Sequence, residues 1–195
     1  MRKLGILLVI LGSLVYGHLF AQSGGLLTLS QLAQQKDYKD IKEACNNLQN
    51  VYKLSMIDIS YTQFLNKLDT FPNLQSLRMM NNEISSFPPL FRYLTKLQEL
   101  TIFENNITTL PAEISYLVNL KRLYLNSNGL TSLPSQICNL PVLEELDLSF
   151  NRLHTLPNNF SKLTSLRKLT LTGNYFSAQE IMQIRSKLPN CTVIN

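Results

Sequence analysis

The sequence has few of the residues from which catalytic and metal sites are usually built. Only two histidines and three cysteines occur among its 195 residues. No cluster of cysteine and histidine has metal-ligand spacing, and no glycine-rich loop could cradle a phosphate. Because His18 lies in the N-terminal segment that is expected to be removed on export, His154 is the one remaining candidate base, and no nucleophile accompanies it. The pattern therefore predicts no catalytic residue, no metal and no cofactor.

Charged residues are also sparse, at 16% of the chain, and the two signs are mixed. The formal net charge of +5 falls to +3 without Arg2 and Lys3, and no basic run follows them. Lysines and arginines are interleaved with acids, whereas a nucleic-acid surface needs clustered positive charge. No nucleic-acid partner is expected.

The N-terminus has the three parts of a secretory signal peptide. Arg2 and Lys3 precede an apolar run from Leu4 to Val15, and the small residues Gly17 and Ala21 offer cleavage points. We predict a signal peptide over residues 1–21 and a secreted or cell-surface protein, periplasmic or extracellular in a bacterium. The alternative is a retained membrane anchor, which the short apolar run disfavours. After cleavage no membrane span is expected.

A repeat of 23 residues organises the rest of the chain. Leu-Pro pairs recur at Leu110-Pro111, Leu133-Pro134 and Leu156-Pro157, and Phe87-Pro88 marks the preceding copy. Segments of the form LxxLxZxxN, in which Z is Leu, Ile or Met, begin at Leu74, Leu97, Leu120, Leu143 and Leu166. A fixed period of 20 to 50 residues predicts a solenoid, in which each unit buries its core against its neighbours.

Each part of the repeat has a physical role. Alternate residues such as Leu123 and Leu125 point into the core from a short strand, and Arg122 and Tyr124 point out. Proline begins the return turn, because it has a fixed φ and no N–H. An asparagine ends each strand, where its amide can satisfy backbone groups of adjacent coils. This predicted ladder comprises Asn82, Asn105, Asn128, Asn151 and Asn174.

The pattern LxxLxLxxNxLxxLPxxIxxLxxL resembles the typical 23-residue form of the leucine-rich repeat family. The resemblance implies an α/β solenoid: a curved horseshoe with a concave parallel sheet, convex turns or short helices, and helical caps at both ends. It divides the chain into an N-terminal helical cap over 22–50, repeats over 51–188 and a closing strand over 189–195. The first coil is degenerate, since Ile59 replaces the asparagine and Leu65 the proline.

The two ends are expected to cap the open edges of the stack. A helix over Asp37 to Leu48 would align Ile41, Ala44 and Cys45 on one stripe, and a second helix is predicted from Ser177 to Lys187. After it, Leu188, Cys191 and Val193 repeat the strand offsets once more. Cys45 and Cys191 belong to opposite caps, beyond disulfide reach. Cys138 lies on the convex return, either as an inert unpaired thiol or as a reactive or intermolecular one.

The concave face carries the candidate binding site. One column across it reads Ser76, Glu99, Arg122, Glu145 and Lys168, and its alternating charges fit either a ligand footprint or mutual pairing of neighbours. Exposed aromatic residues beside arginine are typical of binding hot spots, although surfaces also expose single large side chains without function. Phe150, in an adjacent column, could instead pack between coils. The predicted partner-binding residues are Arg78, Met80, Phe103, Arg122, Tyr124 and Asp147.

Together these features predict a non-catalytic secreted or cell-surface module that binds a protein or peptide on its concave face, as the resemblance implies. A structural component of a cell envelope, assembled through the convex side or the open ends, is the first alternative. The second is an intracellular signalling scaffold like the Ras-associated members of the family, if the signal is not used.

Overall fold

The computed structural model describes residues 25–58, 68–86 and 92–195. Within this part of the chain, eight strands form a single parallel sheet in chain order. The strands are β1 (Asp37–Tyr38), β2 (Lys53–Ile57), β3 (Ser76–Met80), β4 (Glu99–Phe103), β5 (Arg122–Tyr124), β6 (Glu145–Asp147), β7 (Lys168–Thr170) and β8 (Thr192–Ile194). The α/β solenoid is confirmed. The predicted signal peptide, Ile59, Leu65 and Phe87-Pro88 lie outside the described residues.

The period of the sequence sets the register of the sheet. Leu77, Leu100, Leu123, Leu146 and Leu169 occupy equivalent places in neighbouring strands. These leucines are at most 1% exposed, and their neighbours on either side face outward or lie only partly buried in β4 to β6. Stacking one coil on the next therefore produces a continuous apolar core beneath one face of the sheet.

The convex returns are short 3₁₀ helices at Ala112–Tyr116, Ser135–Asn139 and Phe160–Lys162. Pro111 and Pro134 stand immediately before the first two, with φ of -72° and -66°. The carbonyl of each proline accepts the first hydrogen bond of its helix, from Ile114 and Ile137. Since these positions need no N–H donor, proline starts the return at no cost in backbone hydrogen bonds.

The N-terminal cap differs from the helix predicted over Asp37 to Leu48. Helix α1 (Leu29–Ala33) comes first, β1 follows, and α2 (Ile41–Cys45) begins only after Asp40, whose carboxylate accepts from the backbone of Lys42 and Glu43. Asp37 and Tyr38 instead pair with Lys53 and Leu54. The prediction was wrong at its start, because the capping aspartate ends the extended segment and the free edge of β2 takes a further strand.

The C-terminal cap contains helix α3 (Ala178–Lys187), whose N-cap is Ser177 in a reciprocal bond pair with Glu180. Strand β8, which follows, does not have the register against β7 that the repeat predicts. The offsets of the sequence place Cys191 opposite Leu169, but the structure pairs Val193 with Leu169. A shift of two residues keeps the same side chains on the same face, so the longer helical return is absorbed without reversing the strand.

Candidate functional site

The asparagine ladder joins the coils of β2 to β7, each to its neighbour. Asn128 donates from Nδ2 to the carbonyl of Ile102 at 2.8 Å, and its Oδ1 accepts from the backbone N–H of Ile107 at 3.3 Å. Asn151 makes the equivalent bonds, 2.9 Å to Leu125 and 3.0 Å from Leu130. Each amide thus satisfies backbone groups that the strand ends leave buried. The ladder fixes the spacing of the coils and hence the shape of the concave face.

Arg122 is held at the centre of the concave face by two acids from the neighbouring strands. Its Nη1 donates to Glu99 Oε1 at 2.9 Å, and its Nε lies 3.3 Å from Glu145 Oε1 in an ion pair without the alignment of a hydrogen bond. Burial lowers the pKa of Arg122, but the hydrogen bond to Glu99 and the two negative charges outweigh it, so the pKa is raised overall. Within the column, Glu99, Arg122 and Glu145 therefore pair with one another, whereas no ion pair of Lys168 occurs among the described residues.

Tyr124 and Asp147 are also engaged within the protein. The Tyr124 hydroxyl donates to Glu145 Oε2 at 2.9 Å. Burial, followed by this bond and the charge of Glu145, raises the pKa of Tyr124 to about 12. Asp147 Oδ1 accepts from the backbone and the hydroxyl of Ser149, at 2.9 and 2.6 Å. A partner would have to displace or accommodate these bonds.

Three of the predicted residues remain open to solvent. Arg78 is exposed, and the side chains of Met80 and Phe103 are partly exposed on adjacent strands in direct register. Phe150 does not pack between coils, since it is 60% exposed and its ring lies over Gly173. The structure thus splits the predicted site into an internally bonded centre and an open part on β3 and β4.

Two glutamines that precede the strands, Gln75 and Gln98, hold the N-terminal segment. Gln75 Oε1 accepts from the backbone N–H of Leu27 at 2.9 Å, and Gln98 Nε2 donates to the carbonyl of Leu27 at 2.7 Å. Both side chains are fully buried. Neither glutamine was predicted to have this role, although two amides 23 residues apart before successive strands were a visible signal in the sequence.

The remaining polar candidates do not assemble into a reactive centre. His154 is exposed and stacks on Tyr175, with ring centroids 5.1 Å apart. Cys138 is buried, and burial raises the pKa of its thiol to about 11, which opposes the reactive-thiol alternative. Among residues 25–58, 68–86 and 92–195, no group of three or more His, Cys, Asp or Glu could hold a metal ion.

Two depressions of the surface are too small for a cofactor or a typical small ligand. A cleft of about 140 Å³ lies between residues 155–160 and α3, and a depression of about 10 Å³ lies beside Tyr124 on the concave face. Sites for drug-sized molecules are roughly 300 to 1,000 Å³. In the described part of the chain, no helix is long and apolar enough to cross a membrane.

Comparison with known proteins agrees with the fold. An LRR protein of Leptospira interrogans has a similar structure, with a TM-score of 0.67, 30% identity, and coverage of 82% of this chain and 46% of the other. An internalin of Listeria monocytogenes has a TM-score of 0.56 and 26% identity, with coverage of 74% and 39%. This chain therefore spans less than half the length of either protein. No curated protein gives a match.

A family model described as a leucine-rich repeat region matches residues 44–190, which is most of the chain. Together with the ladder, the proline-started returns and the parallel sheet, this match shows that the chain belongs to the leucine-rich repeat family.

Proposed function

We propose that this protein is a non-catalytic binding module that holds a protein or peptide against its concave sheet, and that it acts outside the cytoplasm. Family membership supports the first part, because leucine-rich repeat solenoids use extended concave surfaces for binding. The observation that carries it is the open pair Met80 and Phe103, which lie side by side on strands that the ladder holds rigid. Exposed apolar side chains on a rigid frame bind with little loss of conformational entropy.

In this proposal the six predicted site residues have two roles: some contact the partner and others support the shape of the surface. Met80 and Phe103 make the apolar contact, and Arg78, which forms no ion pair within the described residues, offers a positive charge beside them. Arg122, Tyr124 and Asp147 hold their surroundings in shape, so they contribute to the partner's fit more than to its affinity. This refines the set of six predicted residues into contacting and supporting members.

The test is capture of partners from extracts and cell-surface fractions by the purified chain and two variants. Met80→Asp with Phe103→Asp alters the concave face. The matched control, Tyr93→Asp with Tyr116→Asp, alters two aromatic residues on the convex returns that are 56% and 52% exposed. We expect a partner that is lost with the concave variant and kept with the convex one. Equal capture by all three chains would contradict concave binding.

Assembly into an envelope structure is a second candidate, favoured by one observation. Tyr93, Tyr116 and Val118 expose apolar surface on the convex side, at 56%, 52% and 46%. If this surface joins copies of the chain, sedimentation will show concentration-dependent oligomers that the convex variant abolishes. A chain that stays monomeric at all concentrations would remove this candidate.

Export is tested separately, because the signal peptide over residues 1–21 is inferred from composition alone. We expect the mature N-terminus to follow Gly17 or Ala21, as measured by mass spectrometry of the exported chain. An intact chain recovered from the cytosol would favour the intracellular scaffold instead.

A further inference from the structure

The open part of the concave face includes a row of apolar side chains at the carboxyl ends of three strands. Ile57 on β2 stands beside Met80 on β3, which stands beside Phe103 on β4. Ile57 is 44% exposed, and the other two are partly exposed. These three residues form the apolar row. Adjacent strands in a sheet lie about 4.8 Å apart, so the row spans roughly 10 Å, which is room for one or two side chains of a partner.

Acidic residues follow the ends of the three strands that carry this row. Asp58 and Glu104 directly follow Ile57 and Phe103, and Glu83 follows Met80 by three residues. All three adopt left-handed backbone conformations, with φ of 55°, 53° and 54°, and all three are exposed. We call these three residues the acidic rim. Asp58 and Glu104 stand at the turn directly after their strands, and Glu83 stands two residues beyond Asn81, the equivalent turn residue after β3.

The negative charge of the rim is not neutralised within the described residues. Asp58 accepts a 2.6 Å hydrogen bond from Asn81, which is uncharged, and no ion pair to Glu83 or Glu104 occurs in that part of the chain. The centre of the face differs, since Arg122 pairs there with Glu99 and Glu145. Arg78 lies on the other side of the row, two residues before Met80. The surface therefore changes from positive through apolar to negative along the strand direction.

We propose that the apolar row and the acidic rim together take a polypeptide segment that presents an apolar side chain next to lysine or arginine. This inference rests on the proposed function, because it assigns a chemical class to the partner of the same face. Opposite charge at the rim steers a basic segment and fixes its register, and the apolar row supplies the buried contact. A nucleic acid or an anionic membrane surface would be repelled by three unneutralised carboxylates.

The test uses two displayed peptide libraries of equal length. In one library random apolar residues alternate with lysine or arginine, and in the other they alternate with aspartate or glutamate. Both are selected on the full chain, and the enriched peptides are synthesised with a fluorescent label for anisotropy titration. We expect binders from the basic library, with affinity that falls as salt rises because exposed charges are screened.

Two double variants test how much the charge of the acidic rim contributes to peptide affinity, apart from the apolar row. Glu83→Gln with Glu104→Gln should weaken the basic peptides about three- to tenfold, since each exposed charge pair contributes modestly. Glutamine keeps the shape of the side chain, and circular dichroism verifies folding. The matched control, Glu113→Gln with Glu144→Gln, removes two acids outside the rim and should change affinity less than about twofold.

The outcomes distinguish this inference from the function on which it rests. Unchanged affinity for the rim variant, tighter binders from the acidic library, or no binder from the basic one would overturn the basic-partner inference. If peptides still lose binding with Met80→Asp and Phe103→Asp, the concave site stands without the charge preference. Peptides that bind all variants equally would count against the concave site itself.

Discussion

The hydroxyl of Tyr124 and the carboxylate of Glu145 form a 2.9 Å hydrogen bond across two neighbouring strands. The other oxygen of the same carboxylate faces Arg122, which reaches Glu99 one strand earlier. Side chains of three strands are thereby joined in one network on the concave face. Such networks order a surface before a partner arrives, which lowers the entropy lost on binding.

This network predicts a dependence of stability on alkaline pH. The pKa of Tyr124 is raised from 10.0 to about 12 in the folded chain, so the neutral phenol is the favoured form. The stabilisation is present in full below pH 10, the unfolded pKa, and is lost as pH rises through about 12. We expect the unfolding free energy to fall more steeply over this window in the native chain than in Tyr124→Phe.

Tyrosinate absorbance measures the same group directly. The difference between the titrations of the native chain and Tyr124→Phe should show one transition near pH 12, and Glu145→Gln should move that transition to lower pH. A difference curve centred near the ordinary tyrosine value would mean that the hydrogen bond does not persist in solution.

The ladder makes a prediction for Asn128→Leu. Leucine removes three donated bonds and leaves the carbonyl of Ile102 and the N–H of Ile107 without their partner. Buried groups left unsatisfied cost roughly 1 to 3 kcal/mol of the free energy of unfolding. Urea denaturation measures the change. The control is Asn126→Leu, two residues earlier on the concave side, and a loss of equal size there would show that the cost does not come from the ladder.

The glutamine pair predicts how the N-terminal segment is held. Gln75→Ala removes the acceptor of the Leu27 N–H, so the exchange of that amide with solvent should accelerate about two- to tenfold, the worth of one hydrogen bond. Lys121→Ala is the control at the corresponding position two coils later. Exchange at Leu27 that is insensitive to Gln75→Ala would indicate that helix packing alone holds the segment.

Alanine substitutions at Gly173 and Gly129 should differ greatly in their effect on the free energy of unfolding. Gly173 has φ of 72°, and a Cβ there would lie 2.6 Å from Cδ1 of Phe150. We expect Gly173→Ala to lower the free energy of unfolding by about 1 to 2 kcal/mol, the cost of a left-handed residue, plus the steric clash. Gly129→Ala serves as the control, since its new Cβ would meet Thr108 at an ordinary 3.5 Å.

A double-mutant cycle separates the two parts of that cost. In a Phe150→Ala background the ring contacts at 2.6 and 3.0 Å disappear, and the backbone cost and the 3.3 Å contact with the Cα of residue 150 remain, so Gly173→Ala should be less destabilising there. Thermal denaturation of the four chains gives the coupling. Additive effects would mean that the Phe150 ring does not rest over Gly173 in solution.

The repeats could be predicted from the sequence because each unit has the same pattern of residues. Leucine alternation, the ladder asparagine and the proline before each return are local signals, and they predicted the strands β3 to β7 and the convex turns. The ends follow no period. Asp37 and Tyr38 form a strand only because the edge of β2 accepts it, and the contacts of Gln75 and Gln98 with Leu27 join residues 48 and 71 positions apart.

The position of the candidate site could be predicted from the sequence, but the hydrogen bonds and ion pairs among its side chains could not. Alternation placed Arg122 and Tyr124 on the concave face, yet their bonds to Glu99 and Glu145 depend on side-chain conformations that spacing does not determine. The acidic rim was missed for a similar reason. Asp58 and Glu104 occupy the turn after each strand, where the repeat pattern allows almost any residue, so their common exposure emerged only from the backbone conformation.

The glutamine pair also determines when, during synthesis of the chain, the N-terminal segment can dock. Leu27 leaves the ribosome early, but its carbonyl has no partner until Gln98 has been made, 71 residues later. At translation rates of roughly 5 to 20 residues per second, the segment waits on the order of 4 to 14 seconds before it can dock. The part of the described chain that is made first therefore docks fully only after the coil that contains Gln98 has been made, while the later coils are still to come.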